Sequence, residues 1–165
     1  MATITEITDL KTWRLARELN QDVFKVILSN ESIKDFALKD QINRSCGSVM
    51  DNIAEGFGRG GNKEFINFLG FSLGSLSEVE SQLFRAIDRN YISNKDYELI
   101  SDKVKNLRPM IISFSNYLRN SGFKGPKWKV EEPEGIYTKP KNQNPELKNQ
   151  NLKPGTVNPH PKTLN

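Results

Sequence analysis

The sequence predicts an all-α fold in which four amphipathic helices form one domain, followed by a C-terminal segment of different composition. Three observations support this prediction. Apolar residues recur at alternating spacings of three and four through residues 9–121, which is the period of a helix with one buried face. Turn-forming residues separate these stretches. From Gly122 onward the chain holds seven of its eight prolines and few aliphatic residues.

The first two helices are separated by the polar segment 30–35. We expect the first helix to follow Asp9, a suitable N-cap, and to end near Ser29, and the second to run from about Phe36 to Phe57. Asn20 is the polar member of the first stripe, and it either fixes the register of the helices or contacts water. The positions predicted to face the core are Trp13, Ala16, Asn20, Val23 and Ile27 in the first helix, and Leu38, Ile42, Cys46, Val49 and Ile53 in the second.

A glycine cluster, 56–61, is predicted to end the second helix, because each glycine in a helix interior costs about 1 kcal/mol relative to alanine. Asn62 is the expected N-cap of the third helix. Its core positions are Phe65, Leu69, Ser72, Leu76, Val79, Leu83 and Ala86. One intramolecular core does not need the other apolar and small residues of this helix, so we predict that they contact another subunit: Ile66, Phe68, Gly70, Phe71, Leu73 and Gly74.

The fourth helix is predicted to begin at a cap supplied by Ser93 or Asn94, and Pro109 lies inside it. A proline at that position removes one backbone hydrogen bond and is expected to kink the helix near residue 105. The predicted domains are therefore an N-terminal extension, 1–8, a helical bundle, 9–121, and a largely disordered Pro/Lys/Asn-rich tail, 122–165. The core positions of the fourth helix are Ile100, Val104, Leu107, Ile111, Phe114 and Leu118.

The net charge of +4 lies in the tail, which holds eight of the 24 basic and four of the 20 acidic residues, so the first 121 residues are neutral. Nucleic acid would therefore need a local basic patch. The alternative is scattered, solvated charge. The start of the chain has no secretion signal and no run of 18 apolar residues occurs, so we expect a cytoplasmic protein without a membrane span. The candidate nucleic-acid contacts are Lys11, Arg14, Arg17, Lys39, Arg44, Arg59, Lys63, Arg85 and Arg89.

The catalytic chemistry open to the helical region is limited, because the only histidine, His160, lies in the tail. This excludes histidine-based acid–base sites and the Glu-x-x-His ligands of di-iron bundles from residues 9–121. Cys46 lies on an apolar stripe, where a buried small hydrophobe is the expected role. We therefore expect no enzyme, no metal, no cofactor and no small-molecule substrate.

Two further patterns around the glycine cluster admit a structural explanation. Asp51 and Glu55 share one helix face, but Glu55 also precedes Arg59 in the favourable i to i+4 order for an ion pair. The glycines themselves do not form a phosphate loop, because a helix precedes them and Lys63 is followed by Glu64 instead of Ser or Thr. The helix N-terminus beside Arg59 and Lys63 remains a candidate anion site.

Several segments of the chain resemble a known family. Residues 52–59 read Asn-Ile-Ala-Glu-Gly-Phe-Gly-Arg, and Lys-Glu-Phe and Gly-Ser follow at 63–65 and 74–75. Over residues 9–121 the sequence is similar to the bacterial four-helix-bundle family named after intervening sequences of the 23S rRNA gene. The residues that carry the motif are Asn52, Ala54, Glu55, Gly56, Gly58, Arg59, Glu64, Phe65, Gly74 and Ser75.

The resemblance implies an antiparallel up-and-down four-helix bundle that assembles into a ring-shaped homopentamer without catalytic residues. A related branch of the family, the accessory variability determinant of diversity-generating retroelements, binds a reverse transcriptase and nucleic acid through a basic surface. The first hypothesis is therefore a non-enzymatic oligomer that binds RNA through basic residues. The alternative is a protein–protein adaptor or scaffold, including an accessory subunit of a reverse transcriptase, with no direct nucleic-acid contact.

Overall fold

The fold consists of four long helices, seen in a computed structural model that describes residues 4–121. A short 3-10 turn, Ile7–Asp9, precedes helix α1, Lys11–Val23, which continues as a π-helical turn, Phe24–Leu28. The other helices are α2, Phe36–Arg59, α3, Asn62–Asp88, and α4, Asn94–Asn120. The predicted all-α class is confirmed, and residues 4–121 contain no strand. The predicted disordered tail, 122–165, lies outside the described residues.

The helices form an antiparallel bundle in which each packs on the next and α1 closes the ring against α4. The hydrogen-bonded pairs between α2 and α3 show that the two helices run in opposite directions. In the order of the chain, Asp35, Ser45 and Ser48 at α2 pair with Arg89, Glu78 and Ser75 at α3. Residue numbers therefore rise along one helix where they fall along the other. Short connections between consecutive helices are consistent with the same arrangement.

Helices α1 and α4 are joined across the bundle by an ionic cluster. The Lys103 ammonium of α4 lies 2.9 Å from the Glu18 carboxylate and 3.5 Å from the Asp22 carboxylate of α1. Burial by itself lowers the pKa of Lys103, but the two carboxylates outweigh it and the net pKa is raised. The first and last helices are therefore held together by charge as well as by apolar contacts.

The core positions predicted for α2, α3 and α4 are all buried, so those three stripes are confirmed. In α1 the prediction was wrong in part. Leu19 is fully buried while Asn20 is half-buried, and Thr12 is buried while Trp13 packs at the edge of the core. The other three predicted positions, Ala16, Val23 and Ile27, are buried, so the prediction fails only at the two places where the preceding residue is buried instead.

Two of the predicted helix caps were wrong and one is confirmed. Leu10 occupies the N-cap position of α1, while the Asp9 carboxylate accepts hydrogen bonds from the backbone N–H groups of Thr5 and Glu6 and closes the 3-10 turn. Gly61 is the N-cap of α3. The Ser93 hydroxyl accepts a hydrogen bond from the backbone N–H of Asp96, as an N-cap should.

Asn62 instead joins the first turn of α3 to the end of α4. Its side-chain amide donates hydrogen bonds to the carbonyl oxygen of Leu118, at 3.2 Å, and to the hydroxyl of Ser121, at 3.0 Å. The carbonyls of the last helical turn lack intrahelical partners, so this amide satisfies one of them. A residue predicted to serve its own helix thus stabilises the end of another.

The glycine cluster does not end α2 at its first member. Gly56 and Gly58 lie inside the helix, which continues to Arg59, and Gly60 adopts the left-handed conformation, φ 81°, that ends it. A methyl group on Gly56 would lie 2.6 Å from Cδ2 of Phe65 and 2.8 Å from Cβ of Phe68. Gly56 therefore permits a close approach of α2 and α3.

Candidate functional site

The family-motif residues gather where α2 meets α3, and the first group of them is structural. Phe65 is buried and makes edge-on contacts with the rings of Phe57, at a centroid distance of 6.3 Å, and Phe114, at 5.1 Å. The missing side chain of Gly56 leaves room for the Phe65 ring. This part of the motif sets the distance between helices, and it presents no reactive group.

The charged part of the motif forms a surface ion pair. The Arg59 guanidinium donates to the Glu55 carboxylate at 2.6 Å and lies over the ring of Phe68, 5.4 Å from its centroid. The hydrogen bond from Arg59 to Glu55 and the charge of Glu55 raise the pKa of Arg59. The predicted ion pair at this helix end is confirmed. No group of three or more His, Cys, Asp or Glu within residues 4–121 is placed to hold a metal ion.

The polar part of the motif forms a seam of hydrogen bonds between α2 and α3. Within α2 the Asn52 amide donates to the carbonyl of Ser48 at 2.7 Å, and across the interface the Ser48 and Ser75 hydroxyls share a hydrogen bond of 2.8 Å. Deeper in the same interface, the Ser72 hydroxyl donates to the carbonyl of Val49. Small hydroxyl residues therefore pair the two helices without bulky side chains.

The structure places the candidate nucleic-acid contacts at different parts of the bundle. Near one end lie residues from the start of α1, the end of α2 and the start of α3. Near the other end lie residues from the start of α2 and the end of α3. The first set is Lys11, Arg14, Arg17, Arg59 and Lys63, and the second is Lys39, Arg44, Arg85 and Arg89.

The cations at the second end are all engaged within the bundle. Lys39 donates to the backbone carbonyls of Leu28 and Asn30, where it satisfies the end of the first helix. Three arginines contact acceptors on α2 or its N-cap: Arg44 with Asp40, Arg85 with Gln41, and Arg89 with Asp35. Arg17 and Lys63, at the first end, are exposed cations with no such partner among the described residues.

The predicted subunit contacts divide into two groups on α3. Ile66 and Leu73 are half-buried and pack against the core of the same chain. Phe68 is also half-buried, between Arg59 and Phe71. Phe71 remains 61% exposed, and a methyl group added at Gly70 or Gly74 would meet nothing within 4 Å.

A polar groove between α2 and α3 was missed by the sequence analysis. It has a volume of about 490 Å³ and is lined by Gln41, Arg44, Ser45, Ser48, Glu78 and Gln82. Gln82 is only 8% exposed, although it lies on a helix face shared with Val79 and Ala86. A glutamine on the apolar arc of α3 was the signal in the sequence that could have indicated this groove.

Cys46 is buried in the core, as predicted, and burial raises the pKa of its thiol to about 12. A thiol of this kind remains protonated near neutral pH and is a poor nucleophile.

Within residues 4–121, none of the helices combines the length and apolar character that a membrane span requires.

The sequence and the fold of this chain are both similar to those of known proteins. A family model described as 23S rRNA-intervening sequence protein matches residues 8–113. No curated protein matches the chain. A crystal structure at 1.70 Å of a protein of unknown function, from the S23 ribosomal protein family of Bacteroides thetaiotaomicron VPI-5482, is similar in fold. The two sequences are 27% identical, the TM-score is 0.54, and the match covers 67% of this chain and 98% of that one. Because the family model spans well over half of the sequence, the chain belongs to the 23S rRNA-intervening sequence protein family.

Proposed function

We propose that this protein is a non-enzymatic, self-associating scaffold that works through protein–protein contacts, with the exposed face of α3 around Phe71 as the contact between copies. The observation that carries the proposal is the setting of Phe71. Its ring is 61% exposed beside two glycines that leave open space above the helix backbone. An aromatic ring next to such an open surface allows another helix to approach closely.

The energetics favour covering this surface. Complete burial of a fully exposed phenylalanine side chain contributes roughly 1.5–3 kcal/mol, and because Phe71 is 61% exposed, covering it stabilises an assembly by about 1–2 kcal/mol. Gly70 and Gly74 extend the surface along one side of α3 without adding charge.

A protein partner fits the charge distribution of the bundle better than a nucleic acid does. Four candidate cations at one end already contact carboxylates, an amide oxygen or backbone carbonyls, and Arg59 contacts Glu55 at the other. Residues 1–121 carry no net charge. The proposed scaffold includes the case in which the bound protein is a reverse transcriptase.

The mass of the particle in solution tests self-association. Light scattering after size exclusion should give a multiple of 18.8 kDa for the wild type, with about five copies as the family resemblance implies. Phe71→Glu should lower this mass, because a buried carboxylate without a partner is costly. Phe36→Glu is the matched control, because Phe36 is also an exposed phenylalanine but lies at the start of α2, at the end of the bundle away from Phe71, and its substitution should leave the mass unchanged.

Two outcomes would contradict the proposal. A wild-type protein that is monomeric at micromolar concentration would exclude self-association. A Phe71→Glu variant that keeps the wild-type mass and helicity would show that this face is not the contact. Gly74→Leu provides a second variant at the open surface. Phe68 is less suitable for substitution, because it already packs against Arg59 and faces Gly56.

RNA binding is a second candidate function, favoured by the exposed cations Arg17 and Lys63 together with the eight lysines of residues 122–165. Binding through phosphates weakens steeply with salt, and the slope reports the number of contacts. If RNA is bound in this way, Arg17→Gln and Lys63→Gln should each reduce the slope by about one. Arg44→Gln is the control, because Arg44 is paired with Asp40. Retention of RNA that does not respond to salt would refute this candidate.

A further inference from the structure

The two longest stretches of the chain without a charged residue lie on neighbouring helices. They are residues 65–77 of α3 and residues 109–118 of α4. Charged residues make up 27% of the sequence, so uncharged stretches of this length are unusual in helices that have a solvent-exposed side. Each stretch also carries a large exposed apolar side chain, Phe71 on α3 and Ile112, 43% exposed, on α4. The face around Phe71 therefore has a counterpart on α4.

The two uncharged surfaces lie at nearly the same level along the bundle. Asn62, at the start of α3, donates a hydrogen bond to the carbonyl of Leu118 near the end of α4, so these two residues mark a common level. Phe71 follows Asn62 by nine residues and Pro109 precedes Leu118 by nine, so each lies about 14 Å from that level at about 1.5 Å per residue. Ile112 lies about 9 Å from it. The remaining large exposed apolar side chains within residues 4–121 lie toward the opposite end of the bundle: Phe24, Phe36, Phe84 and Leu99.

The two surfaces belong to adjacent sides of the bundle. Phe71 lies one helical turn from Ser75, whose hydroxyl is hydrogen-bonded to α2, so Phe71 is on the side of α3 nearest α2. Ile112 lies one turn from Arg108, whose guanidinium contacts α3, so Ile112 is on the side of α4 nearest α3. Adjacent sides of a four-helix bundle meet at roughly a right angle. The two surfaces can therefore contact two different neighbours at the same time.

Pro109 gives an independent reason to expect a contact on α4. A proline inside a helix removes a backbone hydrogen bond and destabilises the helix. Pro109 lies inside α4 and is exposed, so packing within this chain does little to offset that cost. Its ring instead adds uncharged apolar area beside Ile112. That area contributes to stability only when another surface covers it.

We propose that the face around Phe71 in one copy packs against the face of α4 that carries Pro109 and Ile112 in the next copy. Burying an unpaired charge is costly, so an uncharged surface is best covered by another uncharged surface. The open space beside Gly70 and Gly74 leaves room for side chains of the neighbouring α4. The proposal rests on the self-association proposed above and adds the surface that meets Phe71.

A contact between two different surfaces determines how copies assemble. Each copy presents one surface of each kind, so copies add in series until the series closes as a ring or continues as a filament. Surfaces at one level and at roughly a right angle favour a closed ring of few copies. A symmetric contact of the Phe71 face with itself would give only pairs.

The mass of α4 variants in solution tests whether this helix takes part. Ile112→Glu should lower the mass measured by light scattering to that of one chain, 18.8 kDa, as Phe71→Glu does. Leu99→Glu is the matched control, because Leu99 is a comparably exposed residue of the same helix near its other end, and it should keep the wild-type mass. Circular dichroism verifies helicity, and Pro109→Glu serves as the test if Ile112→Glu does not fold.

Cysteine cross-linking tests whether the two surfaces meet each other. Gly70→Cys and Pro109→Cys place thiols at nearly the same level on the two surfaces, and the natural Cys46 is buried. The two variants are refolded together from urea and mildly oxidised. The mixture should give a disulfide-linked dimer on a denaturing gel, whereas each variant alone should remain a single chain. A chain with both substitutions should give a ladder of linked chains.

The outcomes separate this proposal from self-association itself. A monomeric wild type would exclude both. An oligomeric wild type combined with an Ile112→Glu variant of unchanged mass would leave self-association standing and overturn the contact with α4. Linked dimers from Gly70→Cys alone would show that α3 packs on α3 of another copy, and they would overturn the proposal as well. The absence of linked dimers from the mixture would have the same consequence.

Discussion

Replacing Gly56 by alanine tests whether the close approach of α2 and α3 is real. The added methyl carbon would lie 2.6 Å from Cδ2 of Phe65 and 2.8 Å from Cβ of Phe68, whereas carbon atoms in contact prefer about 3.5–4.0 Å. The Phe65 ring has little room to move, because it packs between Phe57 and Phe114. The two helices must therefore separate by a large part of an ångström.

The expected magnitude is the difference between two opposing effects. Overpacking a core costs typically about 1–3 kcal/mol. Alanine in place of glycine inside a helix returns roughly 0.5–1 kcal/mol. The net effect of Gly56→Ala is therefore a loss of up to about 2.5 kcal/mol in the free energy of unfolding, with a central value of about 1 kcal/mol. Gly58→Ala is the matched control two residues away in α2, where an added methyl group meets nothing within 4 Å, and it should gain up to about 1 kcal/mol.

The assay is urea denaturation of the full chain followed by far-UV circular dichroism. Wild type and both variants must be compared at one protein concentration, because self-association stabilises the folded state by mass action. The two substitutions should move the midpoint in opposite directions. If Gly56→Ala is as stable as the wild type, or if both alanines stabilise equally, α2 and α3 do not approach as closely as described and the reasoning fails.

Two further predictions concern single side chains. The hydrogen bond from the backbone N–H of Leu38 lowers the pKa of Asp35 from its usual 3.8, outweighing the effect of burial, and Arg89 lowers this pKa further. The charged form of Asp35 therefore stabilises the fold above pH 3.8. This contribution is lost as the pH falls through the lowered pKa. Asp35→Asn should accordingly reduce the urea midpoint at pH 7, while its difference from wild type should shrink as the pH falls below 3.8 and through the lowered pKa; a difference that does not change with pH would contradict the assignment. Because burial raises the pKa of Cys46 to about 12, the native thiol should react with a disulfide reagent at pH 8 roughly a hundredfold or more slowly than the denatured one. Equal rates would show that Cys46 is accessible.

The helices were predictable because their signals are local. Core positions recur every three or four residues within a single helix, and three of the four stripes, in α2, α3 and α4, are buried as predicted. The ion pair between Glu55 and Arg59 was likewise predictable, since both residues belong to one helix. The errors at Asp9 and Asn62 are of another kind, because each side chain bonds to a different segment from the one expected.

The candidate site was less predictable because it depends on pairs of residues that are distant in sequence. Arg89 looked available for phosphate, yet its partner Asp35 is 54 residues away. Phe68 and Phe71 looked equivalent as subunit contacts, but only Phe71 remains largely exposed once α2 and α3 have packed. The groove depends on Gln82 and Ser45, separated by 37 residues, and no local pattern connects them.

The sequence by itself determined the number of helices, the inward faces of three of them, the absence of histidine from residues 9–121 and the family motif. These properties are set by residue types and by the helical period, which act over a few neighbouring residues. Only the tertiary structure decided why Gly56 must lack a side chain, which cations are paired, and that the oxygen of Gln82 is buried without a donor. Each of these depends on the distance between two helices, and that distance follows from the packing of the whole bundle.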